Sequence, residues 1–107
     1  MSTFLKNVKL DLTSTGVTTL YTTPAAKTAV FKSILVSEDS GNADTITATI
    51  TDASAAVFSL FKVKAVAANT TVELLSQPLV VETSEILKFT AATANRLHVV
   101  ASYMELG

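Results

Sequence analysis

A strict alternation of apolar residues and threonine over residues 44–52 constrains the fold more than any other feature of the chain. Ile46, Ala48 and Ile50 each stand between threonines. Successive side chains of a β-strand point to opposite faces, so a period of two predicts a strand with one buried and one exposed face. A helix would instead place apolar residues at spacings of three and four. The stretch therefore indicates a β-protein.

Strand-like segments recur along the whole chain and are separated by short turn signals. Residues 38–43 (EDSGNA) are the strongest turn signal, and proline breaks the pattern at Pro24 and Pro78. The predicted strands span residues 8–12, 17–22, 29–37, 45–51, 56–63, 71–75, 79–82, 86–91 and 96–106. Short strands at this spacing are typical of a sandwich. The sequence predicts an all-β fold, a single-domain antiparallel β-sandwich that is jelly-roll-like with about eight strands.

The domain is expected to occupy residues 1–107, with residues 1–7 as an N-terminal arm ahead of the first strand. Phe4 lies in this arm. Its side chain is expected to dock either on a neighbouring subunit or on its own domain. Residues 29–37 carry apolar side chains on both faces if alternation is strict. Such a strand is covered on both sides or contacts a partner. The candidate subunit contacts are Phe4, Phe31, Leu35 and Tyr103.

Composition argues against several classes of partner. Charged residues make up 16% of the chain, below the roughly 25% of typical soluble domains. The net charge of −1 leaves no electrostatic footprint for nucleic acid or an acidic membrane. The chain has no cysteine, which fits synthesis in a reducing compartment. No signal peptide and no membrane-spanning run are expected.

Three sets of residues are candidate chemical sites, and none carries a convincing pattern. His98 is the only histidine and is predicted to be a surface or interface residue, since a catalytic or metal role needs partners. Asp39, Asn42 and Asp44 offer calcium-type oxygens, but these residues also form ordinary turns. A carboxylate group suited to glycoside chemistry is better interpreted as a solvated face; its members are Glu73, Glu82 and Glu85. The sequence predicts a non-enzymatic protein without a cofactor or a metal.

The chain resembles small virion proteins of tailed bacteriophages. The segments that carry the resemblance are LYTTPAAKTAVFKSI at residues 20–34, SGNA at 40–43, TDAS at 51–54 and LHVVASYMEL at 97–106. The resemblance implies a structural protein that decorates or cements the capsid, or a neck, tail or fibre component. It also implies a β-sandwich that forms homo-oligomers, often trimers, and contacts the major capsid protein or other virion proteins. The expected location is the virion, assembled in the host cytoplasm. No catalytic residue is carried over.

One alternative belongs to another class, a carbohydrate-binding module or a small hydrolase. The chain has no tryptophan and only two tyrosines, whereas sugar sites generally need aromatic platforms. No catalytic set is evident. Both observations count against this alternative.

Overall fold

The computed structural model describes residues 3–107, and over this range the chain forms nine antiparallel strands. None of these residues is helical, so the described part of the chain holds no helix that would cross a bilayer. The strands are β1 (Thr3–Asp11), β2 (Thr18–Thr22), β3 (Thr28–Glu38), β4 (Asp44–Thr51), β5 (Val57–Val66), β6 (Thr71–Glu73), β7 (Leu79–Val81), β8 (Ile86–Ala91) and β9 (Leu97–Leu106).

The strands form two sheets whose order is that of a jelly roll. Sheet A has the order β1-β9-β3, and β6 and β7 share the remaining edge of β3. Sheet B has the order β2-β8-β4-β5. If β6 and β7 are counted as one interrupted strand, the chain changes sheet at every connection except the β4–β5 hairpin. The predicted eight-stranded antiparallel sandwich is therefore confirmed, with one strand broken ahead of Pro78.

The core lies between the two sheets and is filled by alternate residues, as the sequence pattern predicts. In β4, Ile46 and Ala48 are buried, while Thr45, Thr47 and Thr49 lie on the outer face. In β9 the buried series starts at Leu97 and continues at every second residue. The largest fully buried side chains come from both sheets and include Phe31, Phe89, Leu87 and Ile34.

A β-bulge at Lys32 changes which apolar residues of β3 lie on each face, although both faces carry some, as predicted. The pairing of β3 with β9 shifts between Phe31 and Ser33, so Lys32 is an extra, exposed residue. Phe31 before the bulge and Ile34 after it therefore both point into the core, although three positions separate them. The bulge is fixed by Glu73 of β6, whose carboxylate accepts the Ile34 N–H at 2.7 Å and the Ser33 hydroxyl. Strict alternation assigned these residues to opposite faces.

The predicted N-terminal arm is largely part of the first strand. Residues 3–7 pair with β9 as the beginning of β1, from Thr3 opposite Leu106 onward. The strand thus starts five positions before the expected Val8, because pairing to the long β9 continues past the end of the alternating pattern. Residues 1 and 2 of the predicted arm lie outside the described residues.

Candidate interaction surface

The four predicted subunit contacts fall into two groups. Phe31 is fully buried and Tyr103 is 7% exposed, so their proposed role in subunit contact is corrected to a core role. Their rings stack at 4.8 Å, and Tyr21 completes the aromatic cluster at 5.3 Å from Phe31. The bulge at Lys32 turns Phe31 inward, which strict alternation did not foresee. Phe4 and Leu35 are exposed at 50% and 39%, and their contact role stays a prediction.

The outer face of sheet A carries an apolar row that crosses the entire sheet. The strand register places Leu5 opposite Met104, Met104 opposite Val30, and Val30 opposite Val80. Leu5 is 82% exposed, the largest value among the exposed large apolar side chains of the described residues, and Val80 is also exposed. We call these four residues the apolar row. Side chains directly opposite across strands are in contact distance, so the row forms a continuous patch.

A second row on the same face combines charge and apolar surface. Lys9 lies opposite Val100, Val100 opposite Leu35, and Leu35 opposite Glu73. We call these four residues the charged row. The row has a cation at one end, an anion at the other, and two partly exposed apolar residues between them. Asn7, Ser102 and Ser33 separate the two rows.

The outer face of sheet B differs from that of sheet A. Its central strands present threonine and lysine, with Thr47 opposite Thr90 and Thr49 opposite Lys88. The exposed apolar residues of this sheet lie on the edge strand β5, at Val57, Phe58 and Val63. Two register shifts interrupt β5, and such bulges hinder edge-to-edge pairing with another sheet. The extended apolar face of the described chain is therefore that of sheet A.

The candidate calcium loop is organised by a carboxylate. Glu38 at the end of β3 is buried and accepts backbone N–H groups from Ser40, Gly41, Asn42 and Asn69, at 2.8–3.1 Å. Burial alone would raise the pKa of Glu38, but the hydrogen bonds from the Ser40 hydroxyl and these N–H groups outweigh it and lower the pKa to about 2. The loop is thus built around an ionised glutamate, a role that turn composition did not reveal.

The three residues weighed as calcium ligands do not share a site. Asp44 accepts the Thr93 N–H at 3.0 Å, and Asn42 donates to the Ser40 carbonyl. Asp39 is exposed and lies 3.7 Å from His98. Among residues 3–107, no group of three or more histidine, aspartate or glutamate side chains is arranged to hold a metal ion.

The register brings together a serine, histidine and aspartate that are far apart in sequence. Ser37, His98 and Asp11 lie side by side on the outer face of sheet A. However, His98 Nε2 is 3.3 Å from Asp11 and its Nδ1 is 3.7 Å from Asp39. Each ring nitrogen therefore faces a carboxylate, which leaves neither to take a proton from Ser37. The row lacks the base-to-nucleophile contact of a catalytic triad.

Two of the three glutamates that form the candidate carboxylate site, Glu73 and Glu85, bond to the backbone instead. Glu73 holds the β3 bulge, and its pKa is lowered because hydrogen bonds from Ser33, Ile34 and Leu75 outweigh the effect of burial. Glu85 accepts the Glu82 N–H at 2.8 Å in the turn before β8. These contacts stabilise a bulge and a turn, because both accepting glutamates lie near strand ends.

A buried polar network that sequence reasoning missed lies beside the aromatic cluster. Glu105 accepts the Tyr21 hydroxyl at 2.7 Å and Lys6 Nζ at 3.0 Å. These two hydrogen bonds lower the pKa of Glu105 against the effect of burial. Burial and the same contact raise the pKa of Tyr21. The only sequence signal was a glutamate on the apolar face of an otherwise alternating β9.

The comparisons with known proteins identify the fold. No family model and no curated protein matches the chain. A chain from Bacillus endospore appendages, described as a family of disulfide-linked pili, is 10% identical, covers 97% of this chain and 87% of its own length, and has a TM-score of 0.58. A chain of infectious bursal disease virus, Gt strain, is 8% identical over 98% of this chain and 30% of its own, with a TM-score of 0.42. The first of these likenesses shows a shared fold.

Proposed function

We propose that this protein is a non-enzymatic structural subunit of a tailed-phage virion that decorates or cements the capsid. The observation that carries the proposal is the outer face of sheet A, where exposed and partly exposed apolar residues form an uninterrupted row across all strand positions. Contiguous apolar surface of this kind marks contact sites between proteins. A sheet that packs on the core with one face and meets water with the other would present polar residues on the outer face.

The resemblance to phage virion proteins and the fold shared with a pilus protein support an assembled particle. Virion proteins and pilus proteins both act as many repeated copies in an assembly. The pili of the endospore appendages are disulfide-linked, whereas this chain has no cysteine. Its copies would therefore not be joined by disulfides of this chain, and apolar area on a rigid face is the means of contact that the structure offers.

The proposed mechanism is passive. The two sheets give a stiff body whose faces, loops and edge strands contact neighbouring subunits. Each contact is weak, but symmetry repeats it over the particle, and linked contacts strengthen one another. The protein would be assembled in the host cytoplasm and remain in the virion, bound to itself and to the major capsid protein.

Quantification of the protein in purified particles tests the proposal. Hundreds of copies per particle are expected for decoration, whereas a dozen or fewer would place the protein in the neck, tail or fibre. Particles that lack the protein should lose their genome at a lower temperature than complete ones. Absence from particles would refute the virion role, and clear binding on a glycan array would favour the carbohydrate-binding alternative.

A matched pair of variants tests the face that carries the proposal. Leu35→Asp puts a charge at the centre of the outer face of sheet A, and Thr49→Asp puts one on the outer face of sheet B. We expect Leu35→Asp to reduce incorporation into particles by at least tenfold, since an unpaired charge at a contact is costly. Thr49→Asp should be incorporated normally. Equal incorporation of both would remove the outer face of sheet A from the account.

A further inference from the structure

We propose that the outer face of sheet A binds the same face of a second copy, about a twofold axis that runs along the strands between β9 and β3. The inference rests on the proposed role of this face as a subunit contact and names its partner. A twofold contact is made of one surface used twice, so it requires a face that is complementary to itself. The rows of sheet A have this property.

Under the proposed axis, the positive end of the charged row in one copy faces the negative end of the same row in the other copy. The proposed axis exchanges β9 with β3, and β1 with the position shared by β6 and β7. Lys9 of one copy then lies over Glu73 of the other, and Val100 lies over Leu35. Two ion pairs therefore flank an apolar centre. Neither Lys9 nor Glu73 has an ion-pair partner among residues 3–107.

The apolar row matches under the same operation. Leu5 of one copy lies over Val80 of the other, and Met104 lies over Val30. Between the two rows, Ser102 lies over Ser33, so polar residues meet polar residues. The bulged Lys32 lies near Ser102, on a surface that also includes Lys6. One axis thus matches the apolar row, the charged row and the serines between them.

The face is large enough for a specific contact. The face spans four strand positions about 4.8 Å apart, and its strands are about 30 Å long. The covered area is therefore roughly 580 Å² per copy, or about 1,200 Å² for a pair. Specific interfaces begin near about 1,200 Å² in total. Aligned sheets also pack face to face at about 10 Å, with strand directions within about 30° of each other. A threefold arrangement would not need this self-complementarity, so the geometry favours a pair over the trimer that the family resemblance implies.

Light scattering on the purified full-length chain tests the pairing without any particle. We expect twice the monomer mass of 11.2 kDa. Lys9→Glu should weaken the dimer at least tenfold, because like charges would then face each other, and Leu35→Asp should abolish it. Lys62→Glu, the same charge change on exposed β5, is the control and should leave the dimer intact. Circular dichroism verifies that each variant is folded.

Zero-length carbodiimide cross-linking locates the contact. Within one chain, Lys9 and Glu73 are three strand positions apart, about 14 Å, which exceeds the roughly 10 Å reach of the two side chains. A Lys9–Glu73 cross-link between isotopically labelled and unlabelled copies is therefore expected from the dimer alone. A monomer, a trimer, or a dimer that survives Leu35→Asp would overturn the inference. A dimer of the expected kind from a protein absent from virions would overturn only the proposed function.

Discussion

The buried pair of Tyr21 and Glu105 provides the sharpest test of how the sandwich is held together. The Tyr21 hydroxyl donates to the Glu105 carboxylate at 2.7 Å, and both residues are at least nine-tenths buried. A hydrogen bond to a charged group contributes about 1.5–3 kcal/mol, and a buried partner left unsatisfied costs about 1–3 kcal/mol. We expect Tyr21→Phe, which removes the donor, and Glu105→Leu, which removes the acceptor, each to destabilise the fold by about 1–2 kcal/mol. For a domain of this size that corresponds to a Tm lower by roughly 4–16 °C.

A double-mutant cycle separates this hydrogen bond from other effects of the two substitutions. If the bond is the common cause, the double variant should cost little more than one single variant, with a coupling of about 1–2 kcal/mol. Urea unfolding measures each free energy. Tyr103→Phe is the control, because it removes a hydroxyl from the same aromatic cluster that makes no hydrogen bond among the described residues. It should cost less than about 0.5 kcal/mol. Additive single effects would refute the reasoning.

Three further changes test local features of the fold. Thr51→Val should stabilise by about 1 kcal/mol in urea unfolding, because the buried Thr51 hydroxyl has no hydrogen-bond partner among the described residues; destabilisation would show that the hydroxyl is satisfied. Val63 has a φ of 53°, so Val63→Gly should stabilise by about 1 kcal/mol, whereas Val57→Gly at an exposed position of the same strand should destabilise by about 0.5–1 kcal/mol. Because the pKa of Glu38 is lowered in the folded chain, the unfolded chain binds more protons than the folded chain below pH 4.5. The free energy of unfolding should therefore fall from pH 4.5 toward pH 2. Glu38→Gln should flatten this fall in a Tm series, and an unchanged slope would contradict it.

The sequence predicted the strands well because nearly all of them are covered on one face alone. In β4, β8 and β9 the alternation of buried and outer residues is unbroken over most of the strand, and pattern and structure agree. β1 began earlier than expected, since pairing with β9 adds strand residues whose apolar periodicity is weak. The fold class therefore follows from composition and period alone.

The interaction surface was harder to predict, because it depends on register. A bulge adds one residue, and the inserted Lys32 brings Phe31 and Ile34 to the same, inner face. Leu35, a predicted subunit contact, is exposed, but its neighbours Val100 and Glu73 lie 65 and 38 positions away. No local pattern indicates that they share a row. Glu38 and Glu105 were missed because their roles are set by loops and partners brought in by the topology.

A reconstruction of the assembled virion tests the central claim most directly, since it shows position, copy number and contacts together. The account predicts many symmetric copies whose sheet A faces are covered, with Leu35 and Val100 inside a contact between copies. Particles without the protein, or copies whose sheet A face is open to solvent, would contradict it.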